Sequence, residues 1–457
     1  MHTVAKKNTA INMTEGPLFM KILLFSLPLM ASSLLQLLYN AADIIIVGRF
    51  VGESALAAVG ATGALINLII NFFIGLSTGA SVCVSNAMGA RNDEKVRRFV
   101  HTSMALSIVG GIAAMIIGLF AAKPMLTLMK TPDSILNDAV LYTQIYFLGV
   151  PASLMFNFAA GLLRASGDTK RPLYILSVSG IVNVALNVFL VVVCHLGVAG
   201  VAIATSVSQY LSTLLIVVYM VRLDSNLKYT IKDTKIYKKE LLDVIRIGVP
   251  SGMSGVMFNI SNMIIQSSVN LFGDIVIAGN TAASNIEGFI YVSMNTLYQA
   301  SQTFTGQNYG AGKIKRINKV LSNSLIIVLG IGVSMCALAL TFCRPLLNLY
   351  APGQEAVINA GVNRMMVICT TYYLCGMMDV VGGCLRGMKY SFSSMIISML
   401  GACAFRIIWL STVFQAEKTT FNIYISYPIS WILTTLAYFV CYLIAMKRIK
   451  SRIIIKE

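Results

Sequence analysis

Charge is what this sequence has least of. Asp, Glu, Lys and Arg make up 12% of its 457 residues and only 18 residues are acidic, whereas 57% are hydrophobic and the mean hydropathy is +0.77. A soluble chain of this length needs far more Lys and Glu to cover its surface, so a soluble globular protein is excluded. Histidine is nearly absent. His2, His101 and His195 are scattered, and no H-E-x-x-H or comparable spacing forms a metal site. The nine cysteines are odd in number and form no C-x-x-C pair, so they read as small buried hydrophobes. No cleavable signal is read, because the apolar run from about Leu18 is too long and lacks a small-residue cleavage pattern. GQNYGAGK at 306–313 fails as a phosphate loop: its first glycine is misplaced and Ile314 replaces the required Ser or Thr. With no nucleophile, metal or acid–base pair in a catalytic arrangement, the chain is not expected to be an enzyme.

What the chain has in quantity is apolar runs of about 20 residues, each long enough to cross a bilayer as a helix. A β-barrel would alternate apolar and polar residues, and these runs do not. The expected class is an all-α polytopic membrane protein with about twelve spans, centred near residues 35, 70, 110, 150, 184, 210, 257, 291, 330, 370, 402 and 433. The net charge of +17 is a topological signal. Of 35 Lys and Arg, 28 fall at the N-terminus, in every second loop or in the C-terminal tail; Arg49, Lys123, Lys130, Arg344, Arg364, Arg406 and Lys418 are left for the other face. The positive-inside rule then puts both termini in the cytoplasm, in a cell membrane crossed an even number of times.

The chain also repeats itself. Pro28 of FSLPLM (25–30) and Pro250 of IGVPSGM (247–253) are 222 apart; NAMGARNDEKVRR (86–98) and QNYGAGKIKRINK (307–319) are 221 apart. AAKPMLTLM (121–129) pairs with TFCRPLLNLY (341–350), and AAGLLRASGDTK (159–170) with VGGCLRGMKYS (381–391), in the same register. Each half holds six spans, so both halves share an orientation and are expected to form two six-helix bundles about a pseudo-twofold axis along the membrane normal. The expected division is an N-terminal lobe, 1–222, a cytoplasmic linker, 223–240, and a C-terminal lobe, 241–457. The basic linker reads as a solvated segment facing lipid headgroups. Two like bundles leave a cleft between them, which suits alternating access.

Three acids fall inside spans: Asp43, Glu287 and Asp379. An Asp at a span centre costs about 2.5–3.5 kcal/mol on insertion scales, so such residues face a cavity or bundle interior. Gln36, Asn40 and Asp43 follow i, i+4, i+7 on one helix face. Asn183 and Asn187 lie in the fifth span and Thr205 in the sixth; the seventh carries Asn259, Asn262 and Gln266, and the tenth Tyr372, Tyr373 and Asp379. Amides in spans either bond helices together or line a pathway. A carboxylate in such a place can take a proton from one side and release it to the other, or hold Na⁺ with amide and hydroxyl oxygens. Gly75-x-x-x-Gly79 fits close helix packing.

DIIIVGRFVGESALAAVGATG (43–63), SVCVSNAMGAR (81–91), GLLRASGDTKRP (161–172) and QTFTGQNYGAGK (302–313) resemble the MATE family (multidrug and toxic compound extrusion), in order and along essentially the whole chain. The resemblance implies twelve helices in two bundles and cation-coupled export of cationic amphipathic compounds without ATP. It implies a cation-coupling role for Asp43, with Asn183 and Thr205 matching family positions in the fifth and sixth helices. Asn187 stands where aspartate is common. In the C-terminal lobe Asp379 matches a tenth-helix aspartate of one branch, and Asn259 occupies the position of its seventh-helix glutamate, leaving Glu287 as the remaining acid. That lobe's cation or substrate set is then Asp379, Asn259 and Glu287, with Gln36, Asn40, Asn262, Gln266, Tyr372 and Tyr373 as further pathway-lining candidates.

The expected function is therefore secondary antiport, coupled to H⁺ or Na⁺, with no cofactor and no metal site beyond Na⁺ at Asp43. The expected partners are small-molecule substrates and the bilayer, not nucleic acid, and the chain is expected to be a monomer. A lipid-linked glycan flippase of the same wider clan calls for more spans and a strongly basic cavity, whereas the intramembrane cations here are few, Arg406 and Arg364; a passive channel would not need one isolated carboxylate per lobe.

Overall fold

The computed structural model of the chain describes residues 11–454; His2, Lys6, Lys7 and Lys456 lie outside them. The described residues form helices in the order α1 (Leu18–Phe50), α2 (Glu53–Gly89), α3 (Asp93–Leu128), α4 (Asp133–Ala165), α5 (Lys170–Val188), α6 (Gly197–Val221), α7 (Lys238–Val269), α8 (Asp274–Gly310), α9 (Ile314–Thr341), α10 (Cys343–Tyr350), α11 (Glu355–Ile368), α12 (Tyr373–Gly387), α13 (Ser391–Ser398), α14 (Phe405–Ser411), α15 (Val413–Ala416) and α16 (Thr420–Ile454). Among the described residues, ten spans are long and apolar enough to cross a membrane, or eleven if α11 and α12, bent by 47° at their junction, count as one span. At 37 residues, α8 is as long as α2 but carries Asn280, Asn285, Glu287, Asn295 and Gln299. Those polar side chains leave α8 outside this set, so the described residues give up to eleven such spans where about twelve are expected.

The surface is inverted relative to a soluble protein. Ile181 is 68% and Ile45 62% exposed, whereas Ser85, Thr102, Ser293 and Thr296 are buried. Lipid makes apolar exposure free of cost, and helices then associate through small residues and interhelical polar contacts. Gly75 and Gly79 show this directly. A Cβ on Gly75 would lie 2.1 Å from the backbone nitrogen of Gly252, and one on Gly79 2.5 Å from the Val244 carbonyl. Gly75→Ala is therefore expected to lower the thermal midpoint of the detergent-purified protein by several degrees. At Gly330, in α9, an added methyl group would meet nothing within 4 Å, so Gly330→Ala should raise it slightly, by about 0.5–1 kcal/mol of helix propensity.

The internal repeat is written in the backbone. Four left-handed residues of the first half recur in the second: Gly52 and Gly273 (221 apart), Arg91 and Gly312 (221), Lys130 and Gly353 (223), and Gly167 and Lys389 (222). Each closes a helix or opens the next, where the chain must reverse its curvature. Pro28 and Pro250 interrupt α1 and α7 at matching positions. One turn later Ser32 Oγ donates to the Pro28 carbonyl at 2.8 Å, and Ser254 Oγ to that of Pro250 at 3.0 Å. Back-bonding of this kind bends helices further.

The chain divides into two compact units. One comprises the chain through Gly63, Cys83–Leu241 and Gly310–Gly312; the other comprises Ala64–Val82, Leu242–Tyr309 and Lys313 onward. The segment after α6 is not simply a solvated tether. Its lysines 228, 232, 235, 238 and 239 are exposed, but Leu227 and Tyr229 are buried. Tyr229 packs its ring 5.7 Å from His101, Asn226 donates to Asp93 at 2.8 Å, and the Tyr237 amide donates to Thr102 Oγ1 at 3.1 Å. Two apolar side chains in an otherwise charged stretch are enough to strap it to the start of α3.

Candidate functional site

In the first unit α1 meets α5 through Tyr39 and Asp43. Tyr39 lies so close to Gly180 that any Cβ there would overlap its ring, and the Tyr39 hydroxyl donates to the Ser177 carbonyl at 3.4 Å. One turn further along α1, Asp43 is half-buried and reaches Asn187. The Asn187 amide nitrogen donates to Asp43 Oδ1 and to Asn183 Oδ1 (3.3 Å), and Thr205 Oγ1 donates to Asp43 Oδ2 at 3.4 Å. Asn183 in turn donates to Ser208 Oγ at 3.1 Å. Both hydrogens of the Asn187 amide are thus used, and its Oδ1 is buried with no partner among the described residues. A π-helical turn, Phe189–Val193, follows directly after α5; such turns often mark functional positions.

The structure therefore brings Asp43, Asn183, Asn187 and Thr205 together, and adds Ser208. It does not bring Gln36 and Asn40 with them. Both are exposed, because α1 touches α5 around Tyr39 and Asp43, and shared helix phase alone does not carry Gln36, two turns earlier, into that contact. Asp43 has no basic partner within salt-bridge distance among the described residues. Its charge is compensated only by hydrogen bonds.

The second unit contains a cavity of about 540 Å³ lined by Asn259, Asn262 and Gln266 of α7, Asn280 and Glu287 of α8, Arg364 of α11, Tyr372 and Asp379 at and along α12, Arg406 of α14, and Tyr427 and Trp431 of α16. Tyr373 does not line it; that side chain packs beside Gly332 of α9 instead. Glu287 is held by Arg364, whose Nη2 and Nε donate to its two oxygens at 2.7 and 3.0 Å. Arg364 Nη1 also donates to Asn280 Oδ1 at 2.7 Å. Asn280 Nδ2 donates to Gln266 Oε1 at 3.0 Å, and Gln266 to Asn270 at 2.9 Å. The Asn259 amide nitrogen is buried without an acceptor among the described residues.

Arg364 and Arg406, the two cations that the sequence places within spans, are buried, at 6% and 2% exposure. Glu287 has no basic residue at helical spacing, yet it is paired, because its partner is 77 residues away on another helix. The only sequence signal for that pair is two opposite charges in apolar segments of the same half. No group of three or more His, Cys, Asp or Glu among the described residues could hold a metal ion.

The MatE family profile matches residues 28–189 and again 250–411. The chain belongs to the MatE family. The two matches begin and end 222 residues apart, the offset of the internal repeat, and between them they contain Asp43, Asn183, Asn187, Asn259, Glu287 and Asp379. Among MatE relatives, the chain is 28% identical over 370 residues to the "Probable multidrug resistance protein YoeA" of Bacillus subtilis, covering 79% of this chain and 80% of that protein. It is 26% identical to the "Probable multidrug resistance protein YpnP" of the same organism, covering 86% and 87%. A solved MOP superfamily transporter from Pyrococcus furiosus superposes with a TM-score of 0.88 at 23% identity, over 96% of this chain and 97% of that one. The fold is that of the two-lobe MatE transporters, and the protein is a multi-pass membrane protein.

Proposed function

We propose that this MatE protein is a cation-coupled antiporter that exports small cationic amphipathic compounds across the cell membrane by alternating access, with both termini in the cytoplasm. The coupling ion is held at Asp43. The observation that carries this reading is the unneutralised Asp43 carboxylate beside the unpartnered oxygen of Asn187. Na⁺, a hard cation, would take the Asp43 oxygens with Asn187 Oδ1 and Thr205 Oγ1 as neutral ligands. A proton on Asp43 would use the same Asn187 oxygen as its acceptor. The names of the Bacillus relatives, both probable multidrug resistance proteins, support drug-like compounds as the cargo.

The cavity of the second unit supports a role in substrate binding: its volume lies in the range of small-molecule sites, and its walls combine aromatic rings with amide and charged side chains. Its two arginines are matched in number by Glu287 and Asp379. That balance does not favour a pyrophosphate-linked glycan.

The test is uptake of rhodamine 123 into proteoliposomes carrying an imposed Na⁺ gradient, an imposed H⁺ gradient, or neither. Accumulation under one gradient and collapse on its dissipation is the expected outcome. Equal dye entry in all three arms would refute coupled export.

A further inference from the structure

The four charges of the second unit's cavity are not equivalent. Glu287 and Arg364 are closed upon each other by two hydrogen bonds, with Asn280 taking a third guanidinium donor. Arg364 also lies over Tyr424 and Tyr427, 5.5 and 5.7 Å from their ring centres. That pair presents no net charge to a ligand.

Arg406 differs. It is 2% exposed and lines the same cavity. Its Nε donates to Ser430 Oγ at 2.9 Å. Its guanidinium sits 4.3 Å over the Tyr427 ring and 5.9 Å from that of Trp431. No carboxylate lies within salt-bridge distance among the described residues, and the other donors of its guanidinium have no acceptor there. Asp379 lines the cavity too, likewise without a hydrogen-bond partner among the described residues. A buried cation without a counter-charge is expensive to hold. This one is oriented by a serine and two aromatic rings, and its fork is left open towards the cavity.

We propose that the cavity takes a zwitterionic amphipathic ligand, whose carboxylate is bound by Arg406 while its cationic end lies at Asp379. A carboxylate matches the guanidinium fork in a way that chloride or water does not, because it can accept two parallel N–H bonds. The ligand's flat apolar body would lie against Tyr372 and Trp431, whose ring centres are 5.3 Å apart. A ligand with only positive charge would face Arg406 in a low-dielectric site and gain nothing from it. The inference rests on the export reading and sharpens it: the preferred cargo carries an anion as well as a cation.

Rhodamine 110 and its methyl ester, rhodamine 123, test this, because they share one cationic ring system and differ only in the free carboxylate. Binding of each to the full-length protein in an uncharged detergent is read by fluorescence polarisation. The wild type should bind the acid about tenfold more tightly than the ester, a step expected of one charge-assisted contact. Arg406→Gln should erase that preference by weakening the acid, while the ester, relieved of a facing cation, binds no more weakly than to the wild type; Arg406→Lys should keep part of the preference. The proposal is overturned if the wild type binds the ester as tightly as the acid, if it binds neither dye, or if Arg406→Gln weakens both alike, which would make Arg406 a structural residue. Should Arg406→Gln fail to fold, the wild-type ratio and Arg406→Lys decide the matter. Gradient-driven uptake of the ester is read separately, so loss of the acid preference and loss of export are distinguishable outcomes.

Discussion

Export driven by an ion gradient is expected to fall to the level of protein-free vesicles when Asp43 is replaced by Asn, while the protein remains folded and monodisperse in detergent. The two halves of that expectation have separate physical grounds. Asn has the shape of Asp: its carbonyl oxygen can accept from Asn187, and its amide nitrogen can donate to Thr205 Oγ1, in place of the two carboxylate oxygens that accept from these groups now. Removing an unneutralised charge from a span also lightens the cost of inserting it. Stability is therefore retained. The coupling ion, however, loses the only formal negative charge of its site. A hydrogen-bonded or coordinated charge of this kind is worth about 1.5–3 kcal/mol, roughly 10–150-fold in ion affinity, and an amide cannot carry a proton through the cycle at all. Transport in proteoliposomes measures the loss and size-exclusion profiles measure the folding. Undiminished export by Asp43→Asn would remove Asp43 from the coupling site.

A second large effect is expected at Glu287, and it is structural. Glu287→Gln leaves Arg364 buried without its counter-charge, and breaking a buried pair from one side costs about 3–5 kcal/mol. The thermal midpoint of the purified protein should fall by many degrees. Removing both charges, as Glu287→Leu with Arg364→Met, should recover most of that loss, because a well-packed apolar replacement of a buried pair is close to neutral. If Glu287→Gln instead melts with the wild type and loses only gradient-driven export, Glu287 is a coupling acid and its pairing with Arg364 is incidental. The comparison separates Glu287 from Asp379, which has no such partner among the described residues and whose replacement by Asn should spare stability.

The contrast between these two acids shows what the sequence discloses. Helix length and hydropathy place the spans, and the 222-residue register exposes the duplication, because both are properties of the chain read in order. The Asp43 cluster is legible only through the family resemblance: its members lie on α1, α5 and α6, and no periodicity relates residues 43, 187 and 205. The stripe formed by Gln36, Asn40 and Asp43 is correct as helix phase, yet only its last member reaches α5, since phase does not say where two helices touch. The Glu287–Arg364 pair and the open fork of Arg406 depend on four helices meeting around one cavity. Position within spans marks Arg406 and Arg364 as intramembrane cations, but a sequence does not say that one is closed on Glu287 and the other left without a carboxylate. The bent junction of α11 and α12 hides the tenth span from length criteria in the same way.

Coupling is reciprocal, so an antiporter must run in both directions. The decisive measurement loads proteoliposomes with rhodamine 123, imposes no ion gradient, and follows Na⁺ and H⁺ as the dye leaves down its own gradient. Coupled exchange predicts movement of one of these ions into the vesicles against its own developing gradient in the wild type, and none with Asp43→Asn. Dye efflux from the wild type with no movement of either ion would contradict the account.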